Sequence, residues 1–99
     1  MSPAAQTILK KIEEHSADLR GFGVQKLALF GSAARGEVRP ESDLDFLVDF
    51  ERVTFDGYMD LKFFLENLYS RKVDLVISKD IKPRLRASIL SEAVHAPGF

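Results

Sequence analysis

The sequence predicts an α/β fold, a small β-sheet covered by helices on at least one face. Two observations lead to it. Stretches whose apolar residues follow a helical spacing alternate with short runs rich in β-branched and aromatic residues, which is typical of a sheet layered with helices. The chain is 99 residues long, which suits one compact domain, so residues 1–99 are expected to form a single domain.

The N-terminal third is predicted to form a helix and then a strand. Ser2 followed by Pro3 is typical of a helix start, because proline lacks the N–H group that the first helical turn leaves unpaired. Four residues then recur on one helical face: Ile8, Ile12, His15 and Leu19. Gly21 and Gly23 are expected to end this helix, and Val24–Phe30 is the first predicted strand.

The middle of the chain is predicted to contain a polar turn, a second strand and a second helix. Residues 31–42 are expected to be a turn or loop, with room for one short helical turn at residues 32–35, and residues 43–50 are the second strand. Thr54 or Asp56 is expected to cap the second helix. The apolar stripe of that helix has helical spacing: Leu61, Phe64, Leu65 and Leu68.

The C-terminal third is predicted to form a short strand, a turn and a last helix. Val73–Ile77 is β-branched and apolar, as a strand requires, and residues 78–80 are the turn. The last helix is expected from residue 83 to about residue 95, ended by Pro97 and Gly98. Four of its apolar residues are expected to face inward: Leu85, Ile89, Leu90 and Val94.

The composition excludes several classes of protein. The formal net charge is -1, so no general basic field draws the chain to long nucleic acids or to anionic lipid. Cysteine is absent, which excludes disulfides and thiolate metal sites and fits a reducing compartment. No apolar run approaches the ~18 residues that span a bilayer, and the N-terminus lacks the apolar segment of a signal peptide. We therefore expect a soluble cytoplasmic domain.

Two aspartates stand at the start of the second predicted strand. Asp43 and Asp45 are two positions apart, so in a strand they point to the same face, with their Cβ atoms about 7 Å apart. Carboxylates this close repel each other and are costly to desolvate unless a cation lies between them. Their hard oxygen atoms suit Mg²⁺, which binds through one or two carboxylates plus substrate phosphates. The pair is therefore a candidate magnesium site.

A third aspartate is a candidate member of the same site. Asp74 interrupts the apolar strand Val73–Ile77. If that strand neighbours the second one, three carboxylates meet on one face, enough to hold two divalent ions about 3.5–4 Å apart. The alternatives are structural, because acids near a strand start are often its solvated rim, and an acid in an edge strand prevents aggregation. Asp49 is interpreted as strand-end solvation.

A small polar turn directly precedes these acids. Gly31 lets the backbone take a positive φ and approach a ligand closely. The Ser32 hydroxyl and the N–H groups of residues 32–34 could then point at phosphate oxygens. The spacing and the lysine of a P-loop are absent, and Gly21 and Gly23 lack the third glycine of a dinucleotide fingerprint. The turn is therefore a candidate phosphate site of another type.

Two segments together resemble the signature of a known superfamily: Gly-Ser-Ala-Ala-Arg-Gly-Glu at residues 31–37 and Ser-Asp-Leu-Asp-Phe-Leu-Val at residues 42–48. The chain resembles the nucleotidyltransferases related to DNA polymerase β, and within them the minimal nucleotidyltransferases, or MNT proteins. Residues 71–76 resemble the strand of that family that carries its third carboxylate, and residues 82–86 resemble its closing segment. The resemblance covers nearly the whole chain.

The resemblance implies a polymerase β-like fold whose mixed sheet places the turn beside the acids. It implies that Gly31 and Ser32 hold a nucleoside triphosphate, here ATP. It also implies that three residues bind Mg²⁺ and act in catalysis: Asp43, Asp45 and Asp74. Many MNT proteins pair with a HEPN-domain toxin as its antitoxin, and some transfer AMP to a tyrosine of the toxin, so a HEPN-domain protein is the expected partner and AMP acceptor.

Several polar residues beside the motif have open roles. Arg35 could grip phosphate as a bidentate fork, or it could only pair with Glu37 or Glu41. Ser42 could orient the acid that follows it, contact nucleotide, or simply stand in a turn. Two arginines lie early in the last predicted helix: Arg84 and Arg86. They belong either to a solvent-exposed face of the helix or to a functional surface.

Three functions compete for this chain. The first is an enzyme that transfers AMP from ATP to a hydroxyl of a docked partner protein and releases pyrophosphate, and we favour it. The second is a contact-only antitoxin, a binding module that neutralises its HEPN partner with weak or no catalysis. The third is a polymerase-like chain, which the near-neutral charge and the missing basic stripe disfavour.

Overall fold

The computed structural model describes residues 2–39 and 41–99, in which helices alternate with strands. The elements along the chain are α1 (Pro3–Glu14), α2 (Ser16–Gly21), β1 (Val24–Phe30), α3 (Gly31–Ala34), β2 (Leu44–Phe50), α4 (Phe55–Tyr69), β3 (Val73–Ile77), a 3₁₀ turn (Ser78–Asp80), α5 (Pro83–Glu92) and β4 (Val94–His95). The predicted α/β fold is confirmed. None of the helices in these described ranges is long and apolar enough to cross a membrane.

The strands form one mixed sheet in the order β3-β2-β1-β4. β1 pairs antiparallel with β2 and with β4, whereas β2 and β3 run parallel. Parallel neighbours need a crossover connection, and the segment that contains α4 provides it. The crossover brings the start of β3 beside the start of β2, which is where the predicted acids lie.

One face of the sheet carries the main hydrophobic core. Alternate residues of β2 point into it and are buried, as the strand pattern predicts: Leu44, Phe46 and Val48. The helices α1 and α4 cover them with buried residues of their own: Ile8, Leu9, Ile12, Leu61 and Leu65. Each large apolar side chain buried in this way stabilises the fold by about 1.5–3 kcal/mol. These helices occupy one face, which leaves the other for the candidate site.

The opposite face is packed by α5. Two sheet residues on this face form a small buried cluster with a residue of the short segment before α5: Ala28, Leu47 and Ile81. Ile89 and Ala93 pack against this cluster. Leu47 follows Asp45 by two positions in β2, so both side chains belong to this face. The candidate acids therefore lie on the face that α5 borders.

The three predicted helix starts are confirmed, and α5 begins at Pro83 as expected. The Ser2 hydroxyl accepts a hydrogen bond from the Ala5 N–H at 3.1 Å, and Pro3 begins α1. Thr54 is the cap of α4, since its hydroxyl accepts from the Gly57 N–H at 3.0 Å. The alternative of a cap at residue 56 is wrong, because that residue lies inside the first turn.

The first predicted helix is interrupted at His15. This residue has φ −114° and ψ 20° and separates α1 from α2, and its Nδ1 lies 2.8 Å from the Lys11 carbonyl oxygen. The three aliphatic residues of the predicted stripe are buried all the same: Ile8, Ile12 and Leu19. The hydrophobic pattern therefore predicts the buried side correctly and misses the break.

The last predicted helix is wrong at its end and in part of its inward face. α5 ends at Glu92, and the residues expected to form its final turn pair with β1 as β4 instead, because an edge strand offers them backbone partners. Leu85 and Leu90 are 45% and 43% exposed. Ile89 and Val94 are half-buried and pack inward as expected.

Candidate active site

The three predicted aspartates converge at the start of β2 and β3. Asp45 is the register partner of Asp74 in the parallel strand pair, and neighbouring strands are about 4.8 Å apart. Asp43 directly precedes β2, which begins one residue later than expected, at Leu44. The condition that the sequence left open, that the third strand neighbours the second, is therefore met.

The charges of these acids act on one another. Burial raises the pKa of the Asp45 carboxyl above its ordinary value, and the negative charges of Asp74 and then Asp43 raise it further. The Arg35 guanidinium acts in the opposite direction on the same pKa. Asp43 and Asp74 are exposed, whereas Asp45 is half-buried. Asp45 is thus the most buried of the three acids and the one whose ionised form is disfavoured in the folded chain. A bound cation would offset this electrostatic penalty.

The raised pKa of Asp45 predicts that Asp45→Asn stabilises the metal-free chain at neutral pH. A group whose pKa is higher in the folded state favours folding when it is protonated, and this contribution is lost as the pH rises through the folded-state pKa. With a chelator present, the thermal midpoint of Asp45→Asn should exceed that of the wild type at neutral pH. The difference should shrink as the pH falls toward the ordinary aspartate pKa, and a difference that grows on acidification would contradict the assignment.

Gly31 brings the turn against the acids. It has φ +71°, a conformation in which residues with side chains are strained. A Cβ at this position would lie 3.1 Å from the Asp45 Cγ and would overlap the Oδ2 of the same residue. Because Phe30 is the cross-strand partner of Asp45, the chain leaves β1 directly beside the carboxylate. Glycine is required here for both the turn and the close approach.

The turn itself is the single helical turn α3, one residue earlier than predicted. The first N–H groups of such a turn have no acceptor within it. The Ser32 carbonyl oxygen accepts hydrogen bonds from the N–H groups of Glu37 at 2.9 Å and Arg35 at 3.1 Å, which fix the conformation. Ser32 and Ser42 line one cavity of about 420 Å³ together with Glu37 and Arg39. The two serines predicted to contact nucleotide therefore border the same space.

Arg35 directly follows α3 and is paired with two glutamates. Its Nη1 lies 3.0 Å from Glu92 Oε1, and its Nε lies 3.5 Å from Glu37 Oε2. The predicted pairing with Glu37 is confirmed, whereas a contact of Arg35 with phosphate stays a prediction. The pairing with Glu92 is absent from the sequence reasoning, because the two residues are 57 positions apart.

The donor chemistry of the acids fits magnesium. Across residues 2–39 and 41–99, no group of three or more acidic, histidine or cysteine side chains forms a ready-made metal cage. The fit instead rests on Asp45 and Asp74, whose hard oxygen donors lie on neighbouring strands in register, and on the charges of Asp74 and Asp43, which raise the pKa of Asp45. Mg²⁺ binds proteins through one or two carboxylates, with waters and substrate phosphates completing its shell, so the pair Asp45 and Asp74, with Asp43 directly before β2, suits this ion.

Two further features lie apart from the acids. In α5, Arg84 is exposed and Arg86 is half-buried, and their role stays open.

A mostly apolar groove of about 470 Å³ runs between the start of α4 and the edge strand β3. It is lined by Val53, Thr54, Phe55, Tyr58, Leu75, Val76, Ile77 and Asp80. The groove is larger than the cavity at Ser32 and Ser42, and none of the three aspartates lines either space. Ser32 of the α3 turn lines the smaller cavity, whereas no residue of that turn lines the groove, so the smaller cavity is the better candidate for a nucleotide.

Comparison with known proteins identifies the family to which the chain belongs. The family model described as "Nucleotidyltransferase domain" matches residues 8–95. Among curated proteins, "Protein adenylyltransferase MntA" of Thermococcus cleftensis is 37% identical over 97 residues, which cover 92% of this chain and 98% of that protein.

Solved structures include close matches to the fold. One described as a candidate minimal nucleotidyltransferase has a TM-score of 0.79 and 38% identity, covering 91% of this chain and 93% of its own. Another, described as a tri-AMPylated Shewanella oneidensis HEPN toxin in complex with MNT antitoxin, has a TM-score of 0.67 and 21% identity, covering 96% of this chain and 73% of the matched one. At 21% identity, that second likeness shows the fold alone.

Proposed function

Because the chain belongs to the nucleotidyltransferase domain family, we propose that it transfers AMP from ATP to a hydroxyl group of a partner protein in a Mg²⁺-dependent reaction. One observation supports this above the others: the Gly31 turn is in contact with Asp45, and Asp45 lies beside Asp74 on one face of the sheet. A turn suited to phosphate, placed against hard oxygen ligands, provides the positioning and charge compensation that phosphoryl transfer requires.

The acids hold the metal in this proposal. Asp43, Asp45 and Asp74 bind two Mg²⁺ ions through their carboxylate oxygens. When bound, the ions neutralise charge on the triphosphate and stabilise the attacking and leaving oxygens of the displacement. The carboxylates in turn lose the mutual repulsion that raises the pKa of Asp45 in the metal-free chain. Metal binding and relief of this repulsion are therefore linked.

The turn and the neighbouring cavity hold the nucleotide. Gly31 lets the turn lie against Asp45 with no side chain between them, and the Ser32 hydroxyl and the first N–H groups of α3 donate to phosphate oxygens. Ser42, which lines the same 420 Å³ cavity as Ser32, supplies a further hydroxyl. Arg35 adds a positive charge close to the same phosphates. Together these groups would fix the α-phosphorus for in-line attack, with the reacting atoms about 3–3.5 Å apart.

The proposed acceptor is a HEPN-domain toxin, for which this chain is the antitoxin. The T. cleftensis relative is described as a protein adenylyltransferase, and the S. oneidensis complex joins an AMPylated HEPN toxin to an MNT antitoxin. In this chain Asp43 and Asp74 are exposed, so a hydroxyl carried by a second protein has access to the acids. We further propose that residues 1–99 act as one domain and that the reaction takes place in the cytoplasm.

Intact-mass spectrometry of the partner tests the proposal. The purified chain, incubated with Mg²⁺, ATP and the protein encoded by the neighbouring reading frame, should add the mass of one or more adenylyl groups to that protein. Asp43→Ala should add none, while Asp49→Ala, a change on the same face of β2 beyond the cluster, should retain transfer. A stable complex in which neither chain gains mass would favour the contact-only antitoxin instead.

Asp74→Asn should lower the turnover number far more than it weakens ATP binding. Asp74 lies beside Asp45 in register but is exposed, so its contribution is expected chiefly in the transition state, where loss of a contact lowers kcat selectively. We expect a loss of more than about tenfold in kcat with an ATP affinity within about twofold of the wild type. Transfer at the wild-type rate would make Asp74 only an edge-strand charge.

A further inference from the structure

Hydrogen bonds to α4 fix the backbone at Arg71, in the short connection between α4 and β3. Ser70, the residue before it, has φ 53° and ψ 42°, the left-handed conformation in which many helices end. The Glu66 carbonyl oxygen accepts from the Arg71 N–H at 3.3 Å, and Glu66 Oε2 accepts from the Val73 N–H at 3.1 Å. The Arg71 side chain therefore projects from a backbone that is tied to the end of α4.

The Arg71 guanidinium joins this connection to the segment that precedes the acids. Its Nη1 donates to the Arg39 carbonyl oxygen at 3.0 Å and to the Ser42 carbonyl oxygen at 3.3 Å. The Arg39 carbonyl oxygen also accepts from the Ser42 N–H at 3.0 Å, so the guanidinium contacts both ends of a backbone bridge between residues 39 and 42. Hydrogen bonds from a charged donor are about twice as strong as neutral ones, so Arg71 stabilises this bridge.

The bridge borders the candidate nucleotide cavity and the first of the acids. Arg39 and Ser42 line the cavity of about 420 Å³, and Asp43 follows Ser42 directly. On the other side of Asp43, the Leu44 N–H donates to the Lys72 carbonyl oxygen at 3.0 Å. Two successive residues of the connection before β3 therefore hold the chain on either side of Asp43, one through its guanidinium and the next through its backbone.

We infer that Arg71 is a positioning residue, which fixes the Ser42 backbone at the edge of the cavity so that the Ser42 hydroxyl is already ordered when ATP binds. This role rests on the proposed nucleotidyl transfer. A group that is ordered in the unbound chain loses little conformational freedom on binding, and this raises the affinity for the ligand. If the guanidinium is removed, the ordering of Ser42 opposes binding instead. Arg71 acts through the two carbonyl groups, without contact to the nucleotide.

Amide nitrogen relaxation, measured by NMR on the chain without ATP and Mg²⁺, tests the ordering directly. In Arg71→Met, which lacks the donors, the order parameter of the Ser42 amide should fall from about 0.85 to below about 0.6, the values of rigid and flexible backbone. That of Phe46, within β2, should stay unchanged. Lys72→Met removes a positive charge from the adjacent exposed residue and should leave Ser42 ordered. Arg71→Lys should give an intermediate value, because a single nitrogen donates to both carbonyl groups and an ammonium replaces it in part.

Calorimetric titration of the same variants with ATP in saturating Mg²⁺ tests the consequence for binding. Arg71→Met should weaken ATP binding about three- to tenfold, the effect of ordering one segment on binding, at unchanged stoichiometry. A misfolded fraction would instead lower the stoichiometry and leave the affinity unchanged. Lys72→Met should bind ATP as the wild type does.

Two results would overturn the inference. One is an ordered Ser42 in Arg71→Met, even with weaker ATP binding, because Arg71 would then contact the nucleotide itself. The other is a disordered Ser42 together with the ATP affinity of the wild type. A wild-type chain without any Mg²⁺-dependent ATP binding would instead contradict the proposed function, while the order parameter of Ser42 would still report on Arg71, so the two failures are distinguishable.

Discussion

Replacing Asp43 and Asp45 together by alanine is expected to abolish Mg²⁺-dependent ATP binding while the chain stays folded. Mutations one shell beyond the metal ligands already cost about 10–100-fold in metal affinity, so removal of two ligands should exceed that loss. The fold should survive because burial and the neighbouring acids already disfavour the charge of Asp45. Calorimetric titration with ATP in Mg²⁺ measures the binding, and thermal unfolding of the same sample measures the stability.

Asp49→Ala is the control for this double variant. Asp49 lies in β2 four positions after Asp45, on the same face of the strand, and it does not contribute to the raised pKa of Asp45. It should bind ATP as the wild type does. Unchanged ATP affinity in the double variant, with Mg²⁺ present and the chain folded, would remove Asp43 and Asp45 from the metal site.

Gly31→Ala is expected to destabilise the chain and also to abolish transfer. Its φ of +71° costs a residue with a side chain about 1–2 kcal/mol. The added Cβ would also overlap Asp45 Oδ2, so the carboxylate would have to move away from the turn and from its place beside Asp74. The backbone strain lowers the free energy of unfolding, whereas the displaced carboxylate removes a proposed metal ligand. Thermal unfolding and the intact-mass transfer assay measure the two effects separately.

Gly23→Ala separates strain from the displaced carboxylate. Gly23 has φ +88°, but no atom lies within 4 Å of the Cβ that alanine would add there. This variant should lose a similar amount of stability and keep its transfer activity at a temperature where both variants are folded. If Gly31→Ala also retained full transfer, the close approach of the turn to Asp45 would have no part in the reaction.

Local patterns predicted a large part of the fold and of the candidate site. The family and the polymerase β-like fold are confirmed by the family match and by the solved structure at TM-score 0.79. The expectation that Asp43 and Asp45 share a face came from the two-residue period of a strand, and the structure begins β2 one residue after Asp43. Whether Asp74 lies beside Asp45 depends on which strand pairs with β2. The sequence of a short strand does not encode its neighbour, so the third carboxylate could be predicted only on the condition that β3 pairs with β2.

The features that the sequence missed depend on contacts between distant segments. The chain after Glu92 pairs with β1 instead of extending α5, and helical periodicity cannot anticipate that competition. Periodicity also shows which residues share a helical face, but it does not show how much of that face the sheet covers. The small sheet leaves Leu85 and Leu90 of α5 exposed. The ion pair of Arg35 with Glu92 joins residues 57 positions apart. Its only local trace is an acid at the C-terminal end of a helix.

A crystal structure of the chain with Mg²⁺ and a non-hydrolysable ATP analogue tests the central claim most directly. The account predicts metal density bound by Asp43 and Asp45, with the triphosphate lying against Gly31 and Ser32. The 470 Å³ apolar groove beside the edge strand β3 should then be empty of nucleotide. A nucleotide bound in that groove, with no metal at the aspartates, would contradict the claim that the turn and the acids form one nucleotidyl-transfer site.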